Sequence, residues 1–394
     1  VLALTPDYRG GVLADLEREA RRLRGHLVDE LVDEGLPLDP GWRAAFEDVP
    51  RHRFLPWLFE QRPDGSWTLV TDADEDWLRL VYRNRVAVTQ LDGDDSLREK
   101  ALTEPVRGVP TCSSSEPTIM AIMLAALEVG TGDRVLEIGA GTGYNAALLC
   151  HRLGEHRVTT VDVDPAVAAR AAEHLAACGF QPTCVAADGA KGYPPNAPYD
   201  RVLGTCSVST IPLAWLEQTV PGGHIVTTLN RPIGAGLVKL TPDGEGRATG
   251  RVLADDGRFM PLRAHRGPKV SELIDKVRDT RAPVRATELS AARLLRPMDR
   301  FEFFAGLSLP HVLAWSTSHG ETWLAHPDGS WASYSRHSVR QGGPRRLWSI
   351  AEAAYEQWLD LGRPPRERFG LTVGQDGQEF WLDSPDSTYR WPLD

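Results

Sequence analysis

Long hydrophobic runs are absent from this 394-residue chain: no stretch approaches the roughly 18 apolar residues that a membrane-spanning helix needs. Nor does a charged start lead into an apolar core and a small-residue cleavage site, so no secretion signal is expected and the cytoplasm is the expected compartment. Positive charge is also scarce, with 44 Lys and Arg against 54 Asp and Glu and a net charge of -10, which argues against a broad nucleic-acid footprint. Cysteine is sparse. Cys112, Cys150, Cys178, Cys184 and Cys206 form an odd set without paired short spacings, so neither a disulfide framework nor a zinc site is expected. His151 and His156, on either side of Gly154, read as surface residues, and no metal is expected. What the chain does have is length and 42% hydrophobic content, enough for a large core divided among two or three domains.

The most informative stretch is Asp133-Arg-Val-Leu-Glu-Ile-Gly-Ala-Gly-Thr-Gly-Tyr-Asn145. Val135, Leu136 and Ile138 supply a buried strand, Gly139, Gly141 and Gly143 let the backbone approach a ligand, and Tyr144 to Arg152 has helix-forming composition. A dinucleotide loop places its third glycine one position later, and a phosphate loop has Lys before Ser or Thr; here an acid, Glu137, sits at the strand end instead. An acidic strand end suits S-adenosylmethionine, which carries an ammonium and a sulfonium but no pyrophosphate, while the helix N-terminus can receive its carboxylate. Two further acids follow. Val158 to Asp162 is a second strand, ending about 20 residues past the loop, where an acid commonly holds ribose hydroxyls. Thr183 to Asp188, followed by Gly189, is a third, suited to the adenine edge. Each acid alone could be a helix cap or a solvated loop residue; three at successive strand ends favour the cofactor.

Gly11 to Glu34 has helical periodicity with mixed charges, ended by Pro37 and Pro40. A short helix and turn are predicted over residues 41–56, a strand over Leu80 to Gln90, and a polar loop over Leu91 to Pro110. Ser115 to Val129 predicts a serine-capped helix with Pro117 in its first turn. Strands and helices then alternate to about residue 240, as a parallel sheet requires. A helical segment is expected from Lys269 to Leu295, then hairpins: seven of the twelve tryptophans follow residue 300. Pro63-Asp-Gly-Ser-Trp67 recurs as Pro327-Asp-Gly-Ser-Trp331, read as one hairpin turn used twice. A helix over Leu347 to Leu361 and a hairpin around Asp376-Gly377 complete the chain. The expected fold is α/β, organised as an N-terminal helical and substrate-side segment (1–110), a core (111–265) and a Trp-rich α+β domain (266–394).

Residues 42–238 resemble the protein L-isoaspartate O-methyltransferase family. The resemblance rests on Ala45-Phe46, Val49-Pro50-Arg51, Phe54 and Pro56; Tyr82; Ser113-Ser114-Ser115-Glu116-Pro117; Asp133 to Gly143; Asp162; Asp188-Gly189; Pro198-Tyr199-Asp200; Thr205; Ile211-Pro212; and Pro221-Gly222-Gly223. It implies a Rossmann-like class I S-adenosylmethionine-dependent methyltransferase sheet. Cofactor contacts are implied for Ser113, Glu137, Gly139, Gly141, Gly143, Asp162, Asp188, Gly189 and Thr205. Substrate contacts are implied for Tyr82, Ser114, Ser115, Cys206 and Ser207, with Ser115 as the catalytic residue; as a plain helix cap Ser115 would have a purely structural role. The long Leu91–Pro110 segment, Cys206-Ser207-Val208 and the chain beyond residue 265 depart from the repair enzymes. Val88-Thr89-Gln90, the serine triplet, Arg345 to Trp348 and Arg368 to Thr372 look more like the branch that accompanies ATP-grasp or lanthipeptide machinery. That branch implies methylation of an Asp carboxylate in a crosslinked precursor peptide, leading to aspartimide or isoaspartate. Repair of isoaspartyl residues in damaged proteins and a non-catalytic scaffold are the alternatives. The Trp-rich domain reads either as a peptide-binding surface aided by Arg336, Arg340, Arg345 and Arg346 or as an ordinary core with a solvated basic loop. No membrane or nucleic-acid partner is expected, and oligomeric state is left open.

Overall fold

The structure is a computed structural model that describes residues 6–36, 38–267, 270–277, 282–296, 300–317 and 320–393. Pro37 and Lys269, which figured in the sequence expectations, lie outside the described residues. The chain divides into two compact units, residues 1–203 and 204–394. The division falls elsewhere than the expected boundaries after residues 110 and 265.

The first unit opens with helices α1 (Pro6–Asp33) and α2 (Pro40–Asp48), the latter capped by Asp39, whose side chain accepts from the Gly41 and Trp42 amides. A 3₁₀ turn, Arg51–Phe54, leads into strands β1 (Trp57–Gln61) and β2 (Trp67–Thr71), helix α3 (Trp77–Val81) and strand β3 (Ala87–Leu91). The predicted Leu80–Gln90 strand is thus only its second half, because Trp77, Leu78 and Val81 bury a helical face first. Residues 91–110 are no plain loop. Helix α4 (Ser96–Ala101) lies within them, and Leu91, Ala101 and Val106 bury against Phe59 and Trp67. Strand β4 (Pro110–Ser114) closes an antiparallel sheet in the order β2-β1-β3-β4.

Helix α5 (Pro117–Ala126) precedes the parallel core: strand β5 (Val135–Ile138), helix α6 (Tyr144–Leu153), strand β6 (Val158–Asp162), helix α7 (Pro165–Ala177) and strand β7 (Thr183–Ala186). β5 pairs in parallel with β6 and β6 with β7, the crossover helices lying between them in sequence. Strand β8 (Tyr199–Val208) begins in this unit and neighbours β5.

The second unit takes in the end of β8 and helix α8 (Leu213–Glu217), then strands β9 (Thr219–Leu229), β10 (Gly236–Pro242) and β11 (Ala248–Val252). In place of one helical segment over 269–295 come helix α9 (Val270–Val277), the two-residue strand β12 (Arg285–Ala286) and helix α10 (Ala291–Leu295). Helix α11 (Arg300–Ser308) is followed by a meander, β13 (Leu313–Ser316), β14 (Thr322–Ala325), β15 (Trp331–Ser335) and β16 (Ser338–Gly342), in a sheet of order β12-β16-β15-β14-β13. Helix α12 (Leu347–Asp360) and strands β17 (Phe369–Gly374), β18 (Gly377–Leu382) and β19 (Arg390–Pro392) complete the chain. β17 pairs with β11, so β9-β10-β11-β17-β18-β19 run as one antiparallel series. This pairing makes residues 204–252 and 369–392 one unit.

The repeated pentapeptide is one turn used twice. In each copy the Ser amide, Ser66 or Ser330, donates to an Asp side chain, Asp64 or Asp328, at 3.0 and 2.8 Å. The amides of Arg62 and His326 then close the loop on the Ser66 and Ser330 carbonyls.

Candidate active site

Glycine at three positions is required by the backbone of the loop after β5. Gly139, Gly141 and Gly143 have φ of 105°, 53° and 87°, the left-handed region that side chains avoid. A Cβ on Gly143 would stand 3.1 Å from the Ala171 carbonyl of α7, and one on Gly141 would stand 3.3 Å from the Ser113 carbonyl. The loop therefore lies directly against the serine triplet. The Gly139 and Ala140 amides bond to the Val161 carbonyl, and the Gly141 amide donates to Asp162 Oδ2 at 3.1 Å.

Glu137 is buried completely. Its two oxygens accept from Asn145 Nδ2 and Thr160 Oγ1, both at 2.6 Å, tying β5 to α6 and β6. Burial pushes its pKa up to about 7, against the lowering effect of those two hydrogen bonds. It lies within β5 rather than at an open strand end, so its first role is to brace the loop from below.

Asp162 ends β6, where Oδ1 accepts from the Asp164 amide. Carboxylate oxygens have further lone pairs, so these bonds leave it able to accept hydroxyl donors. Asp188 caps the short turn Gly189–Lys191 through Oδ1 and is otherwise exposed, while Gly189 is buried. A left-handed glycine loop, an acid bonded to its amide and a second exposed acid two strands on fit the amino acid, ribose and adenine parts of S-adenosylmethionine.

The serine triplet joins β4 to α5. The expected serine cap is not formed: Glu116 occupies the capping position with no side-chain hydrogen bond, and the Thr118 amide donates instead to Asn84 Oδ1 at 3.1 Å. Burial raises the Glu116 carboxyl above its ordinary range. The Ser114 side chain is buried, whereas Ser113 and Ser115 are half-buried.

Tyr82, for which the resemblance implied a substrate contact, lies on the connection after α3. It is 5% exposed, and its hydroxyl lies 2.9 Å from His52 Nδ1. Ser207, in the second unit, is likewise committed inward. It is buried, its hydroxyl donates to the Phe259 carbonyl at 2.8 Å, and its amide donates to the Met260 carbonyl. Thr205 and Cys206 precede it on β8, and the Cys206 carbonyl accepts from Thr227 Oγ1.

Trp57, Cys112, Asp95 and Arg170 were not singled out in the sequence as part of a site. A small cleft opens beside the glycine loop, lined by Phe54, Trp57, Thr89, Cys112, Gly141 and Arg170. Asp95, at the N-cap of α4, reaches Arg170 at 2.7 Å beside it. Only the unusual length of the 91–110 segment could have marked this arrangement.

In the second unit, Arg340 pairs with Glu321 at 2.7 Å and Arg345 with Asp328 at 3.0 Å, while Arg346 donates to the Gln341 carbonyl. Arg336, by contrast, is exposed at the β15–β16 turn. Trp331 buries with Leu273 and Val277 of α9, with Trp315 and Trp323 packed alongside.

A family model described as protein-L-isoaspartate(D-aspartate) O-methyltransferase matches residues 95–266. The protein-L-isoaspartate O-methyltransferase of Methanosarcina mazei is 32% identical over 252 residues, covering 62% of this chain and 85% of its own. The Methanopyrus kandleri protein of the same name is 31% identical over 267 residues, covering 65% and 97%. The chain belongs to the protein-L-isoaspartate O-methyltransferase family. As a member it is an S-adenosylmethionine-dependent carboxyl methyltransferase with the Rossmann-like class I fold.

A solved structure titled protein-L-isoaspartate O-methyltransferase matches with a TM-score of 0.52 at 22% identity, covering 92% of this chain and 100% of its own. That span runs past residue 265, so a segment beyond the core does not by itself set this chain apart from the family. No helix among the described residues is long and apolar enough to cross a membrane.

Proposed function

We propose that the enzyme methylates the side-chain carboxylate of an aspartyl residue in a crosslinked precursor peptide. The observation that carries the reading is the meeting of the glycine loop with the serine triplet, whose closest approach is at Gly141 and Ser113. It brings the residues suited to the methyl donor against those suited to the acceptor. When bound, S-adenosylmethionine supplies an electrophilic methyl on sulfur. An acceptor carboxylate is ionised at neutral pH, so no general base is required of the protein. What the protein must supply is orientation, which alone can contribute several kcal/mol. Ser115 suits this role, since it lies at the triplet's end and its hydroxyl makes no hydrogen bond among the described residues. An acceptor oxygen forms the new bond to the methyl carbon as the carbon–sulfur bond breaks, leaving a neutral ester and thioether. In the peptide, the next backbone nitrogen can then displace methoxide, which leaves as methanol on gaining the amide proton, giving aspartimide. The 91–110 segment beside the cleft supports a selective acceptor.

Repair of isoaspartyl residues is the second reading, favoured by the relatives' names and their near-complete coverage. Mass spectrometry decides between the two, with generic isoaspartyl peptides and the linear and crosslinked precursor each incubated with enzyme and donor. Methyl gain and then methanol loss on the crosslinked precursor alone is expected, whereas broad methylation of isoaspartyl peptides would establish repair. Ser115→Ala should slow transfer at least tenfold and leave donor affinity within twofold; equal losses in both would remove Ser115 from the acceptor site.

A further inference from the structure

Arg51 is the largest charged side chain buried completely among the described residues, at 0% exposure, and no carboxylate among them pairs with it. A buried cation without an acid partner is costly, so its surroundings must compensate through hydrogen bonds. Its Nη1 donates to the Arg83 carbonyl at 3.1 Å, and Nη2 lies 3.3 Å from the Arg85 carbonyl, 3.1 Å from the Ser115 carbonyl and 3.5 Å from Ser114 Oγ. Nε has no partner. The guanidinium carbon also stands 5.7 Å from the ring centroid of Tyr144, the first residue of α6 after the glycine loop. One planar group thus joins the 83–85 connection, the end of the serine triplet and the helix that opens from the donor loop.

We propose that Arg51 is a positioning residue that fixes the Ser115 peptide relative to the glycine loop. Pinning the Ser115 carbonyl fixes the peptide plane between Ser115 and Glu116, and with it the direction in which Ser115 presents its polar groups. Arg51 does not touch the reacting atoms; it acts through Ser115. Its fork of donors matters, because three carbonyls, those of Arg83, Arg85 and Ser115, converge on one guanidinium, which an ammonium on a flexible stem cannot match.

The consequence for methyl transfer rests on the reading of Ser115 above, but the clamp itself can be measured without a peptide substrate. Backbone hydrogen exchange of the full chain, followed by mass spectrometry, should be compared for wild type, Arg51→Met and Arg51→Lys. Exchange should rise at least tenfold in fragments covering 83–86 and 113–118 in both variants and stay within twofold in α7 and in the second unit. Affinity for S-adenosylhomocysteine, measured by calorimetry, should stay within threefold. With whichever peptide is methylated in the assay above, kcat should fall at least tenfold and KM change by less than threefold.

Unchanged exchange over 113–118, or a rise spread evenly through the protein, would overturn the proposal. So would a fall in kcat no larger than the loss of folded protein. If Arg51→Met does not fold, Arg51→Lys carries the same measurements. A local exchange response with no peptide methylated at all would leave the clamp standing and refute the acceptor reading instead.

Discussion

Glu137 shows how far one residue's chemistry depends on where the fold puts it. Its acidity was legible, since an acid before a glycine loop excludes a phosphate cradle. Its complete burial and its bonds to Asn145 and Thr160 were not, because both partners come from other elements. With a pKa near 7 in the folded protein against an unfolded value of 4.5, the native state favours the neutral carboxyl. That contribution is full below pH 4.5 and is lost as pH rises through 7. In protein free of donor, Glu137→Gln should therefore gain on wild type as pH rises from 5 to 8, by up to about 3 kcal/mol. Thermal unfolding at the two pH values tests this, and a constant gap between the proteins would show that Glu137 does not titrate. Tyr82 and Ser207 carry the same lesson: the family resemblance implied substrate contacts for both, and the fold sets the Tyr82 hydroxyl beside His52 and the Ser207 hydroxyl on the Phe259 carbonyl.

Among elements, the β5–loop–α6 unit was the most legible, because three glycines in five residues have few other uses. Gly143 holds α6 open at φ 87° against the Ala171 carbonyl. Gly143→Ala should destabilise the protein by about 1–2 kcal/mol from backbone strain alone and weaken S-adenosylhomocysteine binding as the loop shifts. Urea unfolding and calorimetry measure the two effects, and an alanine tolerated without loss in either would contradict the close packing. Pairing over long separations was illegible. Nothing local in Phe369–Gly374 says that it will join Ala248–Val252, since alternating apolar residues fit any sheet edge with a matching face. The 269–295 stretch misled for a related reason: its helical composition is real in α9 and α10, but the two-residue strand between them is specified by its partner β16.

At the scale of the molecule, length and composition bounded the chain to a multi-part protein with a large core, and the motif order revealed the family. The positions of the divisions followed from contacts instead. A donor site within an α/β core couples to the folding equilibrium, because ligand bound only by the native state stabilises it by mass action. S-adenosylhomocysteine at a hundred times its Kd should add about 2.7 kcal/mol to the unfolding free energy. Differential scanning calorimetry should show the rise in wild type and equally in Ser115→Ala; no shift in well-folded wild type would refute donor binding.

The pentapeptide that closes one hairpin at Asp64 and another at Asp328 belongs to two sheets that share no strand. Its shape is written in its own five letters, whereas the shape around Arg51 exists only once distant segments have met. A protein engineer could lift the first from either sheet as a ready-made part; the second could be moved only together with everything it holds.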